Sequence, residues 1–108
     1  MAAGFGDMSS LLKQAQEMQK RMAETERDLG ERVLEGTAGG GVVKVYVNGM
    51  QDVQAVKIDK AAVDPDDVDT LEDLVTAAVR QAMTASKELR QKEMGKVTGG
   101  MNLPGMGF

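Results

Sequence analysis

Apolar side chains in the first third of the chain recur at alternating steps of three and four: Met8, Leu11, Ala15, Met18, Met22, then Thr25 in the same register, then Leu29. That spacing is a heptad seam, and it predicts an amphipathic helix over residues 8–32 that needs a partner helix. Asp7, Ser9 and Ser10 offer N-cap oxygens at its start. At about 1.5 Å per residue the helix is roughly 37 Å long. A small sheet does not cover such a length, so part of it is expected to project. The same spacing returns in Val68, Leu71, Val75, Ala78, Ala82, Ala85 and Leu89, widened by Leu74, Val79 and Met83. It predicts a second helix over residues 65–94. Asp64 is placed to cap it, Pro65 suits its first turn, and Gly95 is expected to end it. The middle of this second seam is small, so Met18 and Met22 are expected to fill the space facing Ala78, Ala82 and Ala85.

Between the helices the period drops to two. A first strand is predicted near residues 32–38, and Gly39-Gly40-Gly41 breaks it. Val42–Val47 reads as a second strand, with Val43, Val45 and Val47 on one face and Val42, Lys44 and Tyr46 on the other. Asn48-Gly49 is a hairpin signal because both residues tolerate positive φ. Asp52–Asp59 returns as a third strand, with Val56 and Ile58 on one face and Val53 and Ala55 on the other. The expected fold is α+β, in the order α-β-β-β-α: a three-stranded antiparallel sheet and two long projecting helices. Residues 8–94 form its single domain. Residues 1–7 are expected to be a frayed, flexible terminus, and residues 95–108 a mobile Gly-rich tail. Three strands leave two edges and a partly apolar face, which a second copy joined through the sheet would cover, with the helices as arms.

Composition narrows the class. A chain of 108 residues holds one domain, and with two Phe, one Tyr and no Trp its core must come from Val, Leu, Met and Ala. So lean a core favours oligomerisation. Cys and His are both absent, which removes disulfides, thiolate sites and imidazole chemistry. No apolar run reaches the roughly 20 residues of a membrane span, and the first residues lack the pattern of a signal peptide. The expectation is a cytoplasmic protein with no membrane contact. Gly36–Gly41 fits neither phosphate-loop pattern and leads into a strand, so no nucleotide site is expected. The acids from Asp64 to Asp73 lack the glycine of a calcium loop and serve a helix N-terminus instead. No cofactor, metal or catalytic constellation emerges, and an enzyme is not expected.

Charge carries the positive signal. In the first half of the first helix Lys13, Lys20 and Arg21 outweigh Glu17, whereas over residues 22–35 Glu24, Glu26, Asp28, Glu31 and Glu35 outweigh Arg27 and Arg32. The second helix opens on six carboxylates between Asp64 and Asp73 and closes on Arg80, Lys87, Arg90, Lys92 and Lys96 against Glu88 and Glu93. Antiparallel packing is expected to bring both basic ends together far from the sheet, and both acidic ends beside it. A chain of formal net charge −4 would then still present a basic tip to a polyanion. The plainer reading is a solvated face laced by i,i+4 pairs such as Lys13–Glu17, Glu17–Arg21, Arg27–Glu31, Asp28–Arg32 and Glu88–Lys92. Stacking aromatics are nearly absent, so a nucleic-acid partner would be duplex and contacted through its backbone. A protein-interaction adaptor, whose heptad arms and Met-rich seam clasp a partner helix, is the rival class.

Several stretches resemble the YbaB/EbfC family of bacterial nucleoid-associated DNA-binding proteins. They are Leu12–Gln19 (LKQAQEMQ), Glu35–Val45 (EGTAGGGVVKV), Asn48-Gly49, Val56–Asp59 (VKID), Leu71–Val75 (LEDLV), Ala77-Ala78, Met94–Gly100 (MGKVTGG) and Leu103–Gly105 (LPG). Family members usually carry Asn where this chain has Arg80. The resemblance implies a tweezer-shaped homodimer with central sheets and projecting arms. It also implies binding of duplex DNA with little sequence preference, altered DNA conformation, and effects on nucleoid organisation and gene expression. DNA contacts in the family are associated with the arms; on this chain that region holds Lys13, Lys20 and Arg21, with Lys87, Arg90 and Lys92 opposite.

Overall fold

A computed structural model describes the backbone of residues 2–99 and the side chains of residues 8–99. The order is helix α1 (Ala2–Glu31), strands β1 (Val33–Ala38), β2 (Val43–Asn48) and β3 (Val53–Ile58), and helix α2 (Val68–Thr98), with short 3₁₀ turns at Gly39–Gly41 and Lys60–Ala62. The strands form one antiparallel sheet in the order β1-β2-β3. This is the α+β arrangement that the change of period predicts.

The core lies between one sheet face and the first half of α2. Val43, Val45 and Val47 are fully buried there with Ala78 and Ala82, flanked by Leu34, Leu71, Leu74, Val75, Val79 and Met83. The small stripe of α2 therefore faces β1, not α1, and Met18 and Met22 do not fill space against it. The cause is Gly36: a Cβ at this buried position would collide with the Ala78 carbonyl and the Ala82 amide nitrogen. Glycine on the strand and alanines on the helix let two backbones meet, and no room is left for a methionine.

Three local readings need correction. The β2–β3 register shifts beside Tyr46 and Val47, so Val53 stands opposite Val47. Val53 thus shares a face with Val56 and Ile58, while Ala55 faces the other way; the bulge adds a residue that strict alternation does not count. The Asn48-Gly49 hairpin forms, but the positive φ (66°) falls on Gln51. The Asn48 side chain holds the turn instead, its Oδ1 accepting from the N–H groups of Met50 (2.9 Å) and Asp52 (3.0 Å). Helix α2 starts at Val68, later than expected, because Asp64 accepts from the Asp66 N–H in a preceding turn and Asp67 caps the helix through Thr70. It also runs through Gly95 to Thr98; a mid-helix glycine costs about 1 kcal/mol without forcing a stop. Helix α1 begins at Ala2, ahead of the cap expected at residues 7–10. The tail expected beyond residue 99 lies outside the described residues.

The two helices and the hairpin meet at one joint. Gly49 donates its N–H to the Leu29 carbonyl (2.8 Å), and Asn48 Nδ2 donates to the Gly30 carbonyl (3.3 Å). On the other side, the buried Ser86 hydroxyl donates to the Asn48 carbonyl (2.7 Å) and accepts from the Gln51 N–H (3.1 Å). From this joint the helices leave the sheet, and the longest dimension reaches 78 Å.

Candidate nucleic-acid interface

Beyond Ser86, α2 turns from the sheet to α1 and runs antiparallel to it. Met22 and Glu26 share a groove with Lys87, Arg90 and Met94, and Leu11, Ala15 and Met18 share another with Lys96 and Val97. Leu29 is buried at the inner end of this seam and Met18 is half-buried, but Met8, Leu11 and Leu12 are more than 60% exposed. The rod is therefore double near the sheet, and α1 extends farther from the sheet than α2, which ends at Thr98.

This stagger changes the charge layout. The basic half of α2 lies along the acidic half of α1, with Lys87 and Arg90 beside Glu26 and Lys96 beside Glu24 and Asp28. The two basic ends do not coincide at a common tip, as simple end-to-end pairing predicts. Opposite charges attract across the helix pair, and Lys13 and Lys20, level with the end of α2, lie farther from the sheet than Lys87 and Arg90. The i,i+4 pairs read from the sequence do not close. Among the described residues the ion pairs are Arg32–Glu93 (3.4 Å) and Lys96–Glu93 (3.3 Å), both centred on α2. Hydrogen bonding from Lys96, reinforced by the charges of Lys96 and Arg32, holds the Glu93 carboxyl below its ordinary pKa.

All six cations chosen from the sequence are exposed, but they do not share one face. At 100° per residue, Lys13 and Lys20 lie on the side of α1 away from α2, in a row with Arg27 that Glu17, Glu24 and Glu31 interrupt. Lys87 and Arg90 line a groove of about 630 Å³ floored by Met22 and Met94. Arg21 faces the opposite groove with Lys96, Glu24, Asp28 and Glu93. Lys92 projects from the outer side of α2. Arg80, counted with the basic end of α2 but not among the six, stands seven residues before Lys87, extends that residue's face toward the sheet and is also exposed. No described helix is long and apolar enough to cross a membrane, and no group of acidic residues among those described is placed to hold a metal ion.

An α-β-β-β-α unit that projects a cation-bearing helical rod from a small sheet defines the class: a helical-arm α+β protein. Its fold is shared by the crystal structure of an uncharacterized protein from Helicobacter pylori, with a TM-score of 0.68 at 23% identity over 82% of this chain and 89% of that one. The model of the YbaB/EbfC DNA-binding family matches residues 4–101, and the chain belongs to that family, which is not a family of enzymes. Its relatives include a nucleoid-associated protein of Moorella thermoacetica, 51% identical over 94% of this chain and 98% of that one. Another from Alkaliphilus metalliredigens is 48% identical over 95% and 90%.

Proposed function

We propose that this protein binds duplex DNA in the bacterial nucleoid, as a homodimer, with little sequence preference, and alters DNA conformation. The observation that carries the reading is the exposure of Lys13, Lys20, Arg21, Lys87, Arg90 and Lys92 on a rod held clear of the sheet. Point charges on long stems suit phosphates and do not read base edges. The dimer is supported by β3. Val53, Val56 and Ile58 stand on the face that α2 covers over β1 and β2, yet each is more than 40% exposed. A second copy placed there would bury them and leave both rods pointing outward. The net charge of −4 keeps binding weak at physiological salt.

The test is a duplex titration across salt concentrations, with the mass of the oligomer measured alongside. Six neutralised phosphates give a slope of log affinity against log salt near about −5. Lys13→Glu with Lys20→Glu weakens binding and leaves the dimer mass unchanged; unaltered affinity in that variant rejects the arm assignment. The bare apolar stretch Met8, Leu11 and Leu12 favours a second reading, the arm as a clasp for a partner helix. A flat salt response, with a partner retained after nuclease treatment, selects it.

A further inference from the structure

The sheet face turned away from α2 presents an unneutralised pair of lysines. Lys44 on β2 stands opposite Lys57 on β3, and both point away from the buried Val43 and Val45 side. Like charges directly opposite each other on an antiparallel pair are destabilising. Nothing described relieves them: neither lysine takes part in an ion pair. Two acids flank the pair on this face: Glu35, opposite Tyr46 on β2, and Asp59, two residues beyond Lys57, whose Oδ1 accepts from the Ala61 N–H (3.0 Å). Hydrogen bonding to Glu35 first, then burial, then the charge of Glu35 raise the Tyr46 phenol above its ordinary pKa. No helix lies across the face, because α2 packs on the opposite side and α1 meets the sheet only at its Asn48 end.

We propose that the open sheet face is a second phosphate-binding surface, on which Lys44 and Lys57 hold the backbone of duplex DNA between them. The inference rests on the duplex-DNA reading and extends it from the arms to the hub. A phosphodiester lodged between the two ammonium groups removes their mutual repulsion, so this position favours an anion even though the chain as a whole is acidic. A second copy is the poorer occupant. Besides the two lysines the face carries Glu35, Thr37, Tyr46, Ala55 and Asp59, with Val33 alone as an exposed aliphatic side chain at its edge, whereas the apolar strip of Val53, Val56 and Ile58 lies on the other side. A single strand is poorly served too, with only Tyr46 to stack on. Sequence periodicity places Lys44 outward; the cross-strand register is what sets Lys57 against it.

The experiment measures salt-dependent duplex binding by the full chain carrying Lys57→Gln, Lys44→Gln, or both. Lys60→Gln, the same charge change three residues away in the turn after β3, is the control. Each sheet substitution flattens the salt slope by about one and the pair by about two, while Lys60→Gln leaves it unchanged. The double variant melts no lower than the parent, because a repulsive pair has gone. Equal slopes for Lys57→Gln and Lys60→Gln overturn the inference. So does a double variant that changes the oligomer mass and not the slope, which assigns the face to a second copy. If the parent chain binds no duplex at low salt, the DNA reading itself falls; if it binds and only the arm variants weaken it, the sheet surface alone is wrong.

Discussion

The two halves of α2 are one continuous helix serving two different neighbours. From Val68 to Ser86 it lies on the sheet, and Ala78, Ala82 and Ser86 are buried; from Lys87 to Thr98 it lies on α1, and no residue is fully buried. In the first half the packing dictates residue size. In the second the packing is loose enough that charge is free to vary along the surface. The difference teaches where stability and ligand binding are separable: substitutions before Ser86 test the fold, and substitutions after it test the rod. The comparison breaks if a change in the first half leaves stability intact, or if one in the second half unfolds the sheet.

The largest effect is expected at Gly36. Alanine there drives a methyl group into the backbone of α2 at Ala78 and Ala82, and neither contact is the end of a side chain that could swing away. Overpacking costs about 1–3 kcal/mol and occasionally more, and collision with two backbone atoms puts this substitution at the upper end. Chemical denaturation of Gly36→Ala should show that loss. A wild-type midpoint would mean that α2 does not sit against β1 as described. A smaller loss is expected at the boundary itself. Ser86→Ala removes a buried hydroxyl that both donates to the Asn48 carbonyl and accepts from the Gln51 N–H, leaving those two groups only the 3.2 Å bond they make to each other. The cost is about 1 kcal/mol. Because the joint also fixes where the rod leaves the sheet, amide exchange should quicken at residues 49–52 before it does in the core strands.

The helix–strand order was readable because the period changes from 3.6 to 2 and back, and no strand carries a competing helical pattern. The buried face of β2 was readable for the same reason: Val43, Val45 and Val47 alternate with residues of the open face. What stayed hidden depends on contacts between distant residues. The bulge that turns Val53 toward Val56 is visible only in the register with β2. Alanines at seam spacing look ready for a helix, and only the facing Gly36 shows that they meet a strand. For the candidate site, the cations and their exposure were legible, but their grouping was not. That grouping depends on how far α2 reaches along α1, and reach is set by the joint at Asn48, Gly49 and Ser86 and not by charge.

The smallest effect belongs to the far half of α2, and it carries a pH signature. Glu93 accepts from both Arg32 and Lys96, and its pKa is held down chiefly by the Lys96 hydrogen bond. A carboxyl whose pKa is lower in the folded state contributes stability above its unfolded pKa, about 4.3 for glutamate. That contribution is lost as pH falls through the lower folded value. Protection of the amides at residues 87–98, taken relative to the intrinsic exchange rate at each pH, should therefore fall on acidification in that window, while protection in β2 stays high. Glu93→Gln removes the ion pairs at every pH, so at neutral pH it should give that segment the lower protection of the acidified parent and abolish further change in protection on acidification. The sheet should be unaffected. A Glu93→Gln chain whose rod exchanges like the parent at neutral pH would show that apolar contacts such as Met22 with Met94 hold the two helices together without help from charge.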